Sequence, residues 1–148
     1  MGFPAMEGAM TNEQGNVQAV QELYAAFGRR DVSAVLNGLS DDVDWEVAGP
    51  ADLPICGARH GRDGVGGFFQ ALGQLFDTER FEPQAFIAQH DTVVVLGRER
   101  HRVRSTGRIF EDKWVQVFTL RSGQVIKYQE YIDTAALRDA LLPQQVVA

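Results

Sequence analysis

Only one cysteine, Cys56, stands among the 148 residues. No internal disulfide can form, and the chain reads as a protein of a reducing compartment, the cytoplasm. Cys56 has no histidine at a telling spacing, so a thiol nucleophile is not expected either. No stretch approaches the roughly 20 apolar residues of a membrane span, which removes the membrane as a partner. The opening MGFPAMEGAM lacks the basic start and apolar core of a signal peptide; it reads as part of a flexible tail over 1–15. His, Cys and carboxylates do not recur at metal-ligand spacing. Gly64, Gly66 and Gly67 have no Walker lysine and no strand–glycine–helix fingerprint beside them. Neither a metal nor any other cofactor is expected. With 14 Lys and Arg against 20 Asp and Glu, the net charge is -6, the wrong sign for a protein whose main partner is nucleic acid.

What is present is ordinary in composition, with 45% hydrophobic and 23% charged residues, enough for one domain with a real core. There is no repeat and no linker. One domain is expected over 16–141, with a short tail at 142–148. Asn16 is placed to cap a first helix to about Gly28, with Val17, Val20, Leu23, Tyr24 and Phe27 as its apolar stripe. Asp31 caps a second, short helix carrying Val32, Val35, Leu36 and Leu39. Val43, Trp45 and Val47 alternate as a strand, and 49–61, with Pro50 and Pro54, reads as a loop. Asp63 caps a third helix whose face is Val65, Phe68, Phe69, Leu72 and Phe76. A strand follows at 81–89. Asp133 and Thr134 start a last helix that Pro143 stops. Helices first and an antiparallel sheet after them make an α+β arrangement.

Three late segments carry the chemistry: 92–105 (TVVVLGRERHRVRS), 108–120 (RIFEDKWVQVFTL) and 124–133 (QVIKYQEYID). Each alternates with period two, as half-buried strands do. In the first, Arg98, Arg100, Arg102 and Arg104 form a solvated face. The other face reads Val93, Val95, Gly97, Glu99, His101, Val103. A carboxylate and an imidazole are thus aimed inward, where they are costly unless paired or hydrated and where acid–base chemistry is often found. Thr106-Gly107 reads as a two-residue hairpin turn and 121–123 as a three-residue loop. That register gives one inward row of Glu99, Trp114 and Glu130 and a second of His101, Asp112 and Ile132.

The segments VQELYAAFGRRDVSAVLNGLSDDVDWE, HGRDGVGGFF and FTLRSGQVIKYQEYIDTAAL resemble the nuclear-transport-factor-2-like superfamily, in its SnoaL-like polyketide cyclase and ketosteroid isomerase branch. The resemblance spans about 16–141. It implies a cone in which a strongly curved antiparallel sheet wraps three helices around an internal apolar pocket, and commonly a homodimer formed through the sheets. The residues that ketosteroid isomerases use fall at Leu23, Val47 and Gln116, and the acid of SnoaL-like cyclases also falls at Gln116, so neither mechanism carries over unchanged. The carboxylate–arginine–carboxylate set of limonene epoxide hydrolases falls at Glu99, His101 and Glu130.

Glu99, His101 and Glu130 are therefore the candidate catalytic residues. Trp45, Trp114, Gln116, Tyr128, Asp112 and His60 are the candidates for shaping the pocket and binding a small hydrophobic, oxygenated ligand. Two carboxyl groups and an imidazole in an apolar pocket would have their proton affinities pushed apart, which suits cofactor-free isomerisation, cyclisation, dehydration or epoxide opening. Two alternatives stay open: a non-catalytic ligand-binding protein and a dimeric interaction module. In either, His101 and Asp112 would form a structural cross-strand pair, with Glu99 and Glu130 hydrated at the mouth of the cone.

Overall fold

The computed structural model describes residues 11–143; 1–10 and 144–148, most of the expected tails, lie outside the described residues. Residues 12–15, read as tail, are helical. Helix α1 (Asn12–Gly28) starts from Thr11, whose hydroxyl accepts from the Gln14 amide while the Gln14 side chain accepts from the Thr11 amide. This reciprocal capping box takes the place of the expected cap at Asn16. At the other end the Asp31 amide donates to the Ala26 carbonyl at 2.9 Å, and Arg30 takes a φ of 61°. Asp31 then caps α2 (Val32–Asn37), accepting from the Ala34 amide at 3.0 Å.

Leu39, expected on that second helix, instead opens β1 (Leu39–Val47). Gly38 is the C-cap of α2, a position where glycine is common, and it packs close to α1: a Cβ there would lie 2.5 Å from Leu23 Cδ2. Strand β2 (Gly57–His60) forms inside the stretch expected to be loop and pairs with β1. Helix α3 (Gly61–Leu75) begins ahead of the expected cap; Asp63 sits in its first turn, where a carboxylate complements the helix dipole. Phe76, expected on α3, is the first residue of β3 (Phe76–Gln89). Strands β4 (Thr92–Val103), β5 (Ile109–Arg121) and β6 (Gln124–Tyr131) follow. Helix α4 (Thr134–Leu141) is capped by Asp133 as expected.

The six strands form one open, curled sheet in the order β2-β1-β6-β5-β4-β3. Every neighbouring pair is antiparallel except β1 and β6, which run parallel. Register breaks at Glu79 and Gln84 bend β3, as bulges do. The α+β cone is thus present, with its core between the concave face and the helices. That core includes Val20, Val65, Phe68, Val95, Phe110, Trp114 and Phe118, large side chains that each contribute roughly 1.5–3 kcal/mol when fully buried. Gly97 lets the indole of Trp114 lie directly on β4: a Cβ there would meet Trp114 Cζ2 at 2.2 Å and the Glu82 carbonyl oxygen at 2.6 Å.

The inward and outward faces are as expected, but the rows are not. The β4–β5 loop has four residues, 104–107, closed by the Val103 amide donating to the Arg108 carbonyl at 2.8 Å. His101 therefore pairs with Phe110, Glu99 with Asp112 and Gly97 with Trp114. Between β5 and β6 the turn is Ser122-Gly123, both at positive φ, and a bulge near Ile126 moves the register again. Gln116 pairs with Glu130 and Phe118 with Tyr128. Each displacement is two residues, which keeps every side chain on its face. The row Glu99–Trp114–Glu130 and the row His101–Asp112–Ile132 do not exist. The arginines of β4 point outward and grip acids: Arg98 on Glu82 at 2.7 Å, Arg100 on Glu79 at 2.9 Å and Glu111 at 3.0 Å, Arg102 on Glu79 at 3.2 Å.

Candidate active site

The concave face encloses a chamber of about 60 Å³. Its walls are mostly apolar and aromatic, with Leu39, Trp45, Phe68, Phe118 and Tyr128 among them. Trp45 stacks on Tyr128, centroids 3.7 Å apart, a contact made possible by the parallel pairing of β1 with β6 at these two residues. Glu99 and His101 enter from β4, Gln116 from β5 and Glu130 from β6. All four are buried, Glu99 and Glu130 at 7% exposure, so the carboxyl groups are not hydrated at a mouth.

These polar groups form two clusters. In the first, Glu99 Oε1 lies 2.5 Å from His101 Nε2, and His101 Nδ1 lies 2.9 Å from Thr78 Oγ1. The imidazole stacks on Phe76 at 4.3 Å. Histidine 101 thus pairs with its own-strand neighbour two residues away rather than with Asp112. Asp112 stands opposite Glu99 on the neighbouring strand and accepts from the Asp133 amide at 2.8 Å. Glu99 Oε2 and Asp112 Oδ1 are sealed from solvent, and neither has a hydrogen-bond partner among the described residues. Burial first, then Asp112, pushes Glu99 up to about 11. Burial pushes His101 down to about 4. Burial thus favours the uncharged form of both partners, and a proton on Glu99 Oε1 is placed to donate to His101 Nε2.

In the second cluster Glu130 Oε1 accepts from Gln116 Nε2 at 2.8 Å and from the Tyr128 hydroxyl. The Tyr24 hydroxyl donates to Gln116 Oε1 at 2.6 Å. Glu130 Oε2 takes no hydrogen bond among the described residues. Burial raises the Glu130 carboxyl to about 7, against the opposing pull of its two donors. Burial, then the charge of Glu130, pushes both tyrosines above their ordinary range, so they stay protonated donors.

Three expected binding residues are elsewhere. His60 is exposed on the edge strand β2, paired with Asp44 at 2.9 Å; strand β2 turned what looked like an entrance loop into an outer edge. Trp114 packs behind Tyr24 and Phe81, outside the chamber lining, because the register shift sets it against Gly97. Asp112 also lies behind the lining. Conversely, Tyr24 and Thr78 were not anticipated. Tyr24 falls on the apolar stripe of α1 and was read as core, although a tyrosine there needs a partner for its hydroxyl. Nothing local marks Thr78, which reaches His101 only through the β3–β4 pairing. Among the described residues, no group of three or more His, Cys, Asp or Glu is placed to hold a metal ion, and no helix is long and apolar enough to cross a membrane.

The SnoaL-like domain family matches residues 20–128. Among solved structures, a nuclear-transport-factor-2-like protein from Burkholderia xenovorans LB400 is 36% identical. It covers 90% of this chain and 100% of its own, with a TM-score of 0.80. A nuclear-transport-factor-2-like protein of unknown function from Burkholderia pseudomallei K96243 is 32% identical, covering 89% and 98%, with a TM-score of 0.78. TerC, crystallised with polyporic acid, is 27% identical, covering 85% of this chain and 97% of its own, with a TM-score of 0.78. No curated protein matches the chain.

Proposed function

The chain belongs to the SnoaL-like domain family, and from that premise we propose that it is a cofactor-free acid–base enzyme acting on a small, aromatic or otherwise hydrophobic, oxygenated metabolite. The observation that carries this reading is the pair of buried carboxyl groups that face one chamber with different partners, Glu99 beside His101 and Glu130 beside Gln116 and Tyr128. Glu130 loses its proton near neutrality, whereas Glu99 keeps its own. Environments that push two titratable groups apart assign the base and the acid. Glu130 Oε2 is the base, taking a proton from carbon next to a carbonyl, or from a hydroxyl or water. Glu99, through its contact with His101, is the acid that donates to the oxygen on which charge develops. Tyr128 and Gln116 hold the base by donating to its other oxygen, and Tyr24 fixes Gln116 in turn. Isomerisation and ring closure through an enol fit this set best. Epoxide opening by the arginine-centred route does not, since Arg98, Arg100 and Arg102 face outward. The co-crystallisation of TerC with polyporic acid supports an aromatic, oxygen-rich substrate.

A panel of enones, hydroxyquinones, lactones and epoxides, incubated with the protein and followed by mass spectrometry, is expected to show turnover of at least one member. Products of unchanged mass mark isomerisation or cyclisation; a gain of one water marks hydrolysis. Binding without any turnover across the panel would replace the enzyme by a ligand-binding protein of the same fold.

The same sheet supports a homodimer. Its convex side exposes Ile87, Leu96 and Tyr131, set next to half-buried Val94, Val115 and Val117 by the pairings of β3, β4, β5 and β6. An apolar band on an open sheet, bordered by charged residues, is the form of a self-association face. Sedimentation velocity should show a species of twice 16.4 kDa that Leu96→Glu shifts toward monomer; a wild-type protein that is monomeric at all concentrations removes the dimer.

A further inference from the structure

The chamber abuts a second, larger cavity of about 520 Å³. The two share Tyr24, Phe27, Phe69, Leu72 and Phe81, so these side chains are the wall between them. Ligand sites usually offer roughly 300–1,000 Å³. An inner chamber of about 60 Å³ holds only a small reacting group, and the rest of any larger ligand has to occupy the outer cavity.

The outer cavity has a charge imbalance. Its rim carries Arg30, Arg80 and Arg104 with Asp77 and Glu79. Arg104 is matched to Asp77 at 2.7 Å and donates to the carbonyls of Gly73 and Phe76. Glu79 is held by Arg100 and Arg102. Arg80 pairs with Glu82 Oε1 at 3.4 Å, while Arg98 holds the other oxygen of the same carboxylate at 2.7 Å. Arg30 makes no ion pair or side-chain hydrogen bond among the described residues. Arg30 is thus left without an acidic partner and Arg80 shares one carboxylate with Arg98, on a chain whose net charge is -6. Arg30 also adopts a φ of 61° just past α1, where glycine is usual and a side chain adds strain. A cation there eases the helix dipole, but Arg29, one residue earlier, can do the same without lining the cavity.

We propose that the outer cavity is the anion-holding half of a two-part ligand site. Arg30 and Arg80 receive a carboxylate-class group, while the oxygenated reacting end passes the aromatic wall to reach Glu99 and Glu130. The inference rests on the acid–base reading of the inner chamber and names the substrate class for it: hydrophobic acids.

Binding of 2-naphthoate and of 2-naphthamide, which share a ring system and differ in charge, tests it by calorimetry at low salt. The wild type is expected to favour the acid about tenfold, the scale of a partly exposed charge-assisted contact to two arginines. The preference should fall below about twofold in Arg30→Gly/Arg80→Gln and shrink in 0.5 M salt. Glycine suits the backbone at position 30, so that variant should melt no lower than the wild type; Arg80→Gln alone carries the same test through a smaller loss. Equal affinity of the two probes, or a preference that survives both substitutions, overturns the anion site and leaves the acid–base reading standing, since turnover and its loss in Glu130→Gln decide that separately. Failure of the wild type to bind either probe overturns the two-part site itself.

Discussion

Glu130→Gln is expected to lower turnover by about 10²–10⁴-fold, the usual scale for losing a general base, while making the folded protein more stable at alkaline pH. Glutamine keeps an oxygen to accept from Gln116 and Tyr128, so the second cluster stays connected, but it cannot take a proton. The gain in stability follows from where the charge sits. Glu130 titrates at about 7 in the folded protein, above its ordinary 4.5. A carboxyl group raised in this way contributes fully to stability below pH 4.5 and loses that contribution as the pH rises through 7. Above pH 7 the buried charge costs the wild type about 3 kcal/mol, a cost that the amide does not carry. Urea denaturation should find the variant favoured at pH 8 and nearly equal to wild type at pH 4.5. A variant that keeps its activity ends the base assignment. A stability difference that ignores pH means that Glu130 is not the buried, titrating group described above. More stable and less active together is the pattern of a residue retained for chemistry at a cost to the fold.

The faces of this site were readable from sequence, whereas its contacts were not. Period-two alternation put Glu99, His101 and Glu130 on the concave side and Arg98, Arg100 and Arg102 on the convex side, and those assignments hold. Alternation is blind to a displacement of two residues, however, and both hairpins are displaced by two. The four-residue loop after Val103 and the bulge near Ile126 depend on how the chain closes against its neighbours, not on a local signal such as Thr106-Gly107. Hence the imidazole was expected beside Asp112 and instead touches Glu99. The same limit explains His60: Gly57–His60 is a strand only because β1 offers it an edge. It explains Leu39 as well, which is a strand residue because β6 offers it Val125 as a partner. Tyr24 was hidden differently. Its spacing marks core, and only the position of Gln116 across the chamber shows that its hydroxyl has work there.

Glu99→Gln separates the acid from the base by a second pH signature. Glutamine at position 99 imitates a protonated carboxyl group, able to accept from His101 and donate toward Asp112, so the first cluster should remain closed. Turnover is expected to fall by about 10²–10⁴-fold because no proton can be delivered, yet the remaining activity should still rise through pH 7, where Glu130 ionises. Glu130→Gln should lose that rise. Stability distinguishes the two further. Glu99 stays protonated up to about 11 in the folded state, while the unfolded chain ionises it near 4.5. A raised carboxyl group of this kind contributes in full below 4.5, and the wild type goes on losing stability relative to Glu99→Gln throughout the climb to 11, by roughly 1.4 kcal/mol per pH unit at most. The difference for Glu130→Gln levels off above 7. Measuring both variants between pH 7 and 9 keeps His101 neutral in folded and unfolded chains alike, since its folded value of about 4 and ordinary value of 6.5 both lie below that window. A widening gap for Glu99→Gln beside a constant one for Glu130→Gln identifies which carboxyl holds the proton. Two constant gaps would show both acids ionised in the chamber and end the assignment of Glu99 as the acid.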